Sequence, residues 1–161
     1  MEIVHKYSYL GNILCDTLSD DLDILRQRKK LFAQGNSIMR KFYMCTQDVK
    51  LTLFRSYCSS LYTAQLWVNY TKTIMNKLYI AYHNILKLFI GVPKWEHTRP
   101  ICVTLNVKYC PALIRNLVYK FMCRLPVAKN IFVRTLCDMS CFYRSSIWKH
   151  WRFLLYTNGV G

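Results

Sequence analysis

Leu53-Phe54-Arg55-Ser56-Tyr57-Cys58-Ser59-Ser60-Leu61-Tyr62-Thr63-Ala64-Gln65-Leu66-Trp67 is the stretch from which the fold reads outward. Phe54, Tyr57, Cys58, Leu61, Ala64 and Val68 recur at steps of three and four residues, the period of a helix face. Leu53, Tyr62, Leu66 and Trp67 add apolar surface on other sides, and Arg55 is the only charge between Leu51 and Trp67. A helix that is apolar nearly all round needs neighbours on several sides. The stretch therefore predicts the central helix of a small all-α domain, started by Thr46 with Asp48 in its first turn.

The flanking sequence predicts five to seven helices in all, preceded by a short strand or hairpin. Residues Glu2 to Leu14 alternate loosely and hold a Gly11-Asn12 turn signal, which reads as a hairpin or a lone strand. Such a pair is unstable alone and must pack on the helices. A chain that opens in mid-sheet suggests further sheet upstream. Ser19 is the expected N-cap of the next helix, with Asp20, Asp21 and Asp23 at its positive end. Leu22, Leu25, Phe32 and Met39 mark its expected inner face, and Gly35-Asn36 is expected to weaken or kink it.

The third helix has the cleanest pattern: Met75, Leu78, Tyr79, Tyr82, Ile85, Leu86 and Phe89 form one stripe. Asn76, Lys77, His83, Asn84 and Lys87 are expected on its outer side, with Gly91 as the C-terminal stop before Pro93. A short helix is expected over Ile101 to Leu105. Another starts at Pro111, with Ile114, Leu117, Val118 and Phe121 inward. Helices around Lys129 to Asp138 and Ser145 to Leu155 follow, then a frayed end over 157–161.

Composition bounds the partner. The chain has 161 residues, 53% hydrophobic, which excludes a wholly disordered chain. Its formal charge is +15, and the acids cluster early: after Asp23 only Asp48, Glu96 and Asp138 oppose the lysines and arginines. Such an excess favours a polyanion, bound by phosphate neutralisation and counterion release. No apolar run reaches the roughly 20 residues of a membrane span, so no membrane partner is expected. Eight cysteines without a leader read as reduced thiols in an intracellular protein. Arg26-Gln27-Arg28-Lys29-Lys30 resembles a nuclear signal set inside a helix.

Cysteine and histidine spacing does not point to metal. Cys137-x3-Cys141 with His150, and His97 with Cys102 and Cys110, both lack the paired spacing of a compact zinc site. No nucleophile elbow or phosphate-binding glycine loop is present, and no cofactor is expected. Aromatic and basic residues interleave at Arg40-Lys41-Phe42-Tyr43 and Lys149-His150-Trp151-Arg152, a pattern suited to stacking and phosphate contact. For any one ring, core packing is the better reading.

Several pieces in order carry a family resemblance. These are Tyr9-Leu10-Gly11, the Leu53-Phe54-Arg55-Ser56-Tyr57 run, Leu61-Tyr62 and Trp67. Asn76-Lys77-Leu78, Ala81-Tyr82-His83-Asn84 and Leu88-Phe89-Ile90-Gly91 complete the series. Together they resemble the end of the palm and the following thumb-like region in reverse transcriptases of non-LTR (LINE-type) retrotransposons. The resemblance covers residues 7 to 95 well and 96 to 125 loosely. It implies a remnant of the last palm hairpin in 1–15, a helical thumb-like region in 16–125, and a C-terminal extension in 126–161.

By that resemblance Tyr9, Leu10 and Gly11 belong to the hairpin that helps position a primer end. The bound partner would be RNA, DNA or their hybrid, together with the missing palm and fingers of a parent polymerase. Reverse transcriptases hold two metal ions on an aromatic-x-Asp-Asp block. Asp20-Asp21 follows Leu18 and Ser19 instead and lies after the Tyr-Leu-Gly piece, so capping explains it better. No polymerase activity is expected of the chain alone. An independent nucleic-acid-binding module or a non-functional relic are the alternatives. Periodicity and charge, not the resemblance, make Arg26, Lys30, Arg40, Lys41, Lys77 and Lys87 the candidate phosphate contacts.

Overall fold

Two long helices running side by side carry the rest of the chain. A computed structural model describes residues 5–156, so the first residues of the Glu2 to Leu14 reading and the frayed end expected over 157–161 lie outside the described residues. A two-stranded antiparallel hairpin, β1 (Lys6–Tyr9) and β2 (Asn12–Cys15), leads into α1 (Asp21–Lys41). Then come α2 (Gln47–Leu53), a π-helical turn (Phe54–Cys58) and one 3-10 turn (Ala64–Leu66). The remainder is α3 (Lys72–Ile90), α4 (Thr98–Thr104), α5 (Cys110–Arg124), α6 (Ile131–Asp138), α7 (Ser140–Arg144) and α8 (Ser146–Tyr156). The all-α expectation with a leading hairpin holds. Among the described residues no helix is long and apolar enough to cross a membrane.

The central stretch is not one helix. α2 ends at Leu53, and the next turn widens so that Ser59 N–H reaches the Phe54 carbonyl five residues back (3.2 Å). Hydroxyls loosen the helix before that point: Thr52 Oγ1 donates to the Asp48 carbonyl and Ser56 Oγ to that of Thr52. Thr63 then takes a left-handed backbone (φ 74), and the chain reaches Trp67 extended. The burial expectation survives the break in part, since Tyr57, Tyr62 and Leu66 are exposed. Phe54, Cys58, Leu61, Ala64 and Trp67 are all buried. Phe54 sets its ring edge-on to Tyr82 (5.1 Å) and Phe89 (5.5 Å).

α1 is continuous through Gly35, and this corrects the expected kink. A Cβ at Gly35 would lie 2.8 Å from Ile85 Cγ2 and 2.9 Å from its Cδ1. The glycine is there to let α1 and α3 approach. Asp21 meets Thr71 and Gly35 meets Ile85, so the two helices run in the same direction. The inner face of α1 is also one position off the expected stripe. It comprises Asp23, Ile24, Gln27, Leu31, Gly35 and Ile38, while Leu22 is exposed and Phe32 and Met39 pack at the margin.

Gly35→Ala gains about 1 kcal/mol of helix propensity but overpacks the contact by about 1–3 kcal/mol. A net loss of thermal stability is expected. The loss should shrink in an Ile85→Ala background, measured by a double-mutant cycle of melting curves. A stabilised Gly35→Ala protein would contradict this packing.

α3 follows its pattern closely. Thr71 Oγ1 accepts from Ile74 N–H (3.4 Å) at the start. Gly91 (φ 69) ends the helix, with Val92 N–H on the Lys87 carbonyl (3.0 Å). Met75, Leu78, Tyr82, Ile85, Leu86 and Phe89 are buried. Two residues assigned to the outer side, His83 and Lys87, are buried as well. α8 returns to the core through Trp151, whose Nε1–H donates to the Gln65 carbonyl (2.9 Å).

Candidate nucleic-acid interface

The hairpin and α1 are joined by one buried carboxylate. Asp23, fully buried, accepts from Ile13 N–H (3.3 Å) and Arg26 Nε (3.0 Å) at Oδ1. Its Oδ2 accepts from Thr63 Oγ1 (2.8 Å) and Trp67 Nε1–H (2.9 Å). Arg26 adds an Nη2 contact to Asp23 (2.6 Å) and a further bond to the Gly11 carbonyl. Asp20 Oδ2 accepts from Val68 and Asn69 N–H (2.7 and 2.8 Å), and Asp21 Oδ1 from Thr71 N–H (2.8 Å). These carboxylates latch the start of α1 to the approach to α3. The helix opens at Asp21 with Asp20 as cap, while Ser19 Oγ still accepts from Asp21 N–H (3.3 Å).

The hairpin tip is tied to this latch through Arg26 and the Gly11 carbonyl. Leu10 and Gly11 both have positive φ (45 and 79), the two-residue turn that suits a twisted hairpin. For leucine this backbone costs about 1–2 kcal/mol, and its side chain is nevertheless exposed. Tyr9 is exposed too, on the same strand face as Tyr7, whose cross-strand partner is Leu14. That face is apolar and open. Ile13, on the opposite face, is buried.

The six candidate cations separate into two groups. Lys30, Arg40 and Lys41 are exposed on α1, and Lys77 is exposed on α3. Lys30 and Lys41 are eleven residues apart, three helical turns, and so project from the same side. Lys29 is exposed beside them, and no acid lies between Asp23 and Asp48 to neutralise the row. Lys29 lies outside the six candidates that charge and period single out. Arg26 and Lys87 are instead engaged within the fold. Arg26 is held by Asp23 and Gly11. Lys87 is buried and donates from Nζ to the Lys94 and Glu96 carbonyls (2.7 and 2.5 Å), closing the loop after α3.

Of the remaining chemistry-bearing groups, four cysteines and His83 sit in the core. All eight cysteines are free thiols, and Cys58, Cys102, Cys110 and Cys137 are buried. Burial pushes the Cys58 thiol up to about 11 and raises those of Cys102 and Cys110, so none of these three is poised as a thiolate. His83 Nε2 accepts from Cys110 N–H (3.3 Å), and its ring stacks on Tyr109 at 4.4 Å. His150 lies against Tyr70, not beside a cysteine pair. Among the described residues no three His, Cys, Asp or Glu side chains converge as a metal site. No family model, curated protein or solved structure matches this chain.

Proposed function

We propose that this chain is the end-of-palm and thumb-like part of a LINE-type reverse transcriptase, and that it grips template–primer nucleic acid by its phosphates. The observation that carries the reading is the coupling of the hairpin to a basic helix. Arg26 ties the Leu10-Gly11 turn to α1, whose outer side then presents Lys29, Lys30, Arg40 and Lys41. A primer end at the tip and a duplex backbone along α1 would be held in one register. The open apolar face of Tyr7, Tyr9 and Leu14 suits contact with the rest of a palm. RNA, DNA or their hybrid would be recognised by shape and charge, not base sequence. In this reading the chain has no polymerase activity of its own, since Asp20 and Asp21 are committed to backbone amides.

A second reading takes the chain as an independent, sequence-indifferent nucleic-acid-binding module. The closed core around Phe54, Trp67 and Tyr82 favours it, because such a core supports folding without a partner. Both readings use the same basic side. Affinity for an RNA–DNA hybrid, followed by fluorescence anisotropy across salt concentrations, tests that use. Lys30→Glu with Lys41→Glu is expected to reduce the slope of log K against log salt by about 2. An unchanged slope in a folded variant would remove α1 from the interface. Cooperative unfolding of the isolated chain would favour the module, and its absence the polymerase part.

A further inference from the structure

A second basic concavity lies away from the hairpin and α1. α4, the turn after it and the first half of α5 enclose a cleft of about 1030 Å³, with Tyr79 of α3 and Leu154 of α8 at its margins. Arg99, Lys108 and Arg115 line it, and no Asp or Glu does. None of the three is ion-paired; the ion pairs among the described residues are His5–Asp16 and Asp23–Arg26. Three like charges around one concavity repel one another, and an anion between them relieves the repulsion.

The cleft wall is pinned from beneath. Tyr82 Oη donates to the Lys108 carbonyl (3.1 Å), Cys110 N–H to His83 Nε2 (3.3 Å) and Val107 N–H to the Cys102 carbonyl (2.9 Å). Arg55 Nη2 donates to the Leu105 carbonyl (2.6 Å), and Asn106 takes the left-handed turn (φ 49). Above this base the Arg99 guanidinium lies 5.7 Å from the Tyr109 ring centre, and Tyr109 is stacked on His83. Arg99 thus lies against a ring that is itself stacked on a buried histidine. Its planar donor fork can contact a phosphate bidentately, which a lysine on a flexible stem cannot. The positive end of α5 adds to the same field.

We infer that this cleft is a phosphate-binding site, in which Arg99 forks onto a phosphate and Lys108 and Arg115 complete the cradle. Its ligand is a phosphodiester of single-stranded nucleic acid, an assignment that rests on the nucleic-acid reading above. A free nucleotide offers the same chemistry. The cleft shares no lining residue with α1 or the hairpin, so it is a separate place of contact. A strand touching both would bind more tightly than one touching either, through effective concentration.

The test uses the full chain, a labelled 20-nucleotide single-stranded RNA, and ATP. The triple variant Arg99→Ala, Lys108→Ala, Arg115→Ala is expected to bind the RNA about tenfold or more weakly near 0.1 M salt. Its salt slope is expected to fall by about 2, from three lost single-strand contacts. A charge-preserving Arg99→Lys, Lys108→Arg, Arg115→Lys variant should keep the slope and lose part of the affinity, and circular dichroism of both checks the fold. In the wild type, RNA should shift the backbone NMR signals of Lys108 to Leu113.

RNA binding that is equal in wild type and triple variant, without those shifts, overturns the cleft and leaves the α1 interface standing. If ATP shifts the signals and no polynucleotide binds, the phosphate site stands and the nucleic-acid reading falls. If neither ligand shifts them, the site itself is refuted.

Discussion

Asp23→Ala is expected to cost about 3–5 kcal/mol and to lower the melting temperature by roughly 10 °C or more. The carboxylate is fully buried and gathers donors from four residues in three segments: Ile13 of β2, Arg26 of α1, and Thr63 and Trp67 of the irregular stretch before α3. Its removal leaves the Trp67 indole N–H and the Ile13 amide buried without acceptors, while the Thr63 hydroxyl keeps only the Tyr62 carbonyl. Each such group costs about 1–3 kcal/mol, and the Arg26 guanidinium loses its counter-charge. Asp23→Asn keeps the shape but turns an amide N–H₂ towards donors on one side. It should be nearly as damaging, and this separates charge and hydrogen bonding from simple volume. Total stabilities of about 5–15 kcal/mol leave little room for such losses. Urea unfolding followed by Trp fluorescence would measure both. A loss under about 1 kcal/mol for either variant would show that Asp23 is not the joint between hairpin, α1 and Trp67.

The same joint explains what the sequence could and could not reveal. α3 was legible because Met75 to Phe89 repeats with the helical period and Gly91 ends it, so local pattern and tertiary role agree. The 53–67 stretch was legible as core but not as geometry. Its apolar residues announce burial, whereas the break after Cys58 depends on Thr63 and Trp67 reaching Asp23, some forty residues earlier. α1 was misjudged by one position because its inner face holds Asp23, Gln27 and Gly35, which a count of apolar residues passes over. Gln27 Nε2 is satisfied by the Tyr62 carbonyl (2.9 Å), again a long-range partner.

The engagement of two candidate cations, Arg26 and Lys87, and of Arg55 outside that set, is of the same non-local kind. Arg26, Arg55 and Lys87 are each committed to a turn carbonyl, at Gly11, at Leu105, and at Lys94 and Glu96. Charge and helical period cannot reveal a carbonyl presented by a distant turn. They separate the interior from the surface for leucine far better than for a long side chain whose stem can be buried. Lys30, Arg40, Lys41 and Lys77 are exposed, as charge and helical period led one to expect.

Stability is also expected to fall as the pH drops from about 6.5 towards 4, through His83. Burial, and then the charge of Lys87, holds its imidazole down to about 4 in the folded chain against an ordinary value of 6.5. The neutral ring is the working form: Nε2 must stay unprotonated to accept from Cys110 N–H, which leaves the proton on Nδ1. The sign follows from proton uptake. Between these two values the unfolded chain takes up a proton that the folded chain refuses, so acid favours unfolding. The contribution is fully present above pH 6.5, declines as the pH falls, and is exhausted near pH 4. Its full extent is about 3 kcal/mol. His150 is lowered by burial too, with Asp20 opposing, and contributes with the same sign.

His83→Gln isolates the first group, because glutamine offers an acceptor at this position but does not titrate. Urea unfolding at pH 7, 5.5 and 4.5 should show a shallower loss in the variant than in the wild type. Parallel curves would mean that His83 is not the titrating group. The consequence reaches the surface, since His83 supports both the Tyr109 ring beneath Arg99 and the first turn of α5. Protonation removes the Cys110 bond and places a charge between Lys87 and the basic cleft. Acid should therefore loosen the 107–113 segment before the rest of the core, visible as faster amide exchange there at pH 5 than elsewhere in α5.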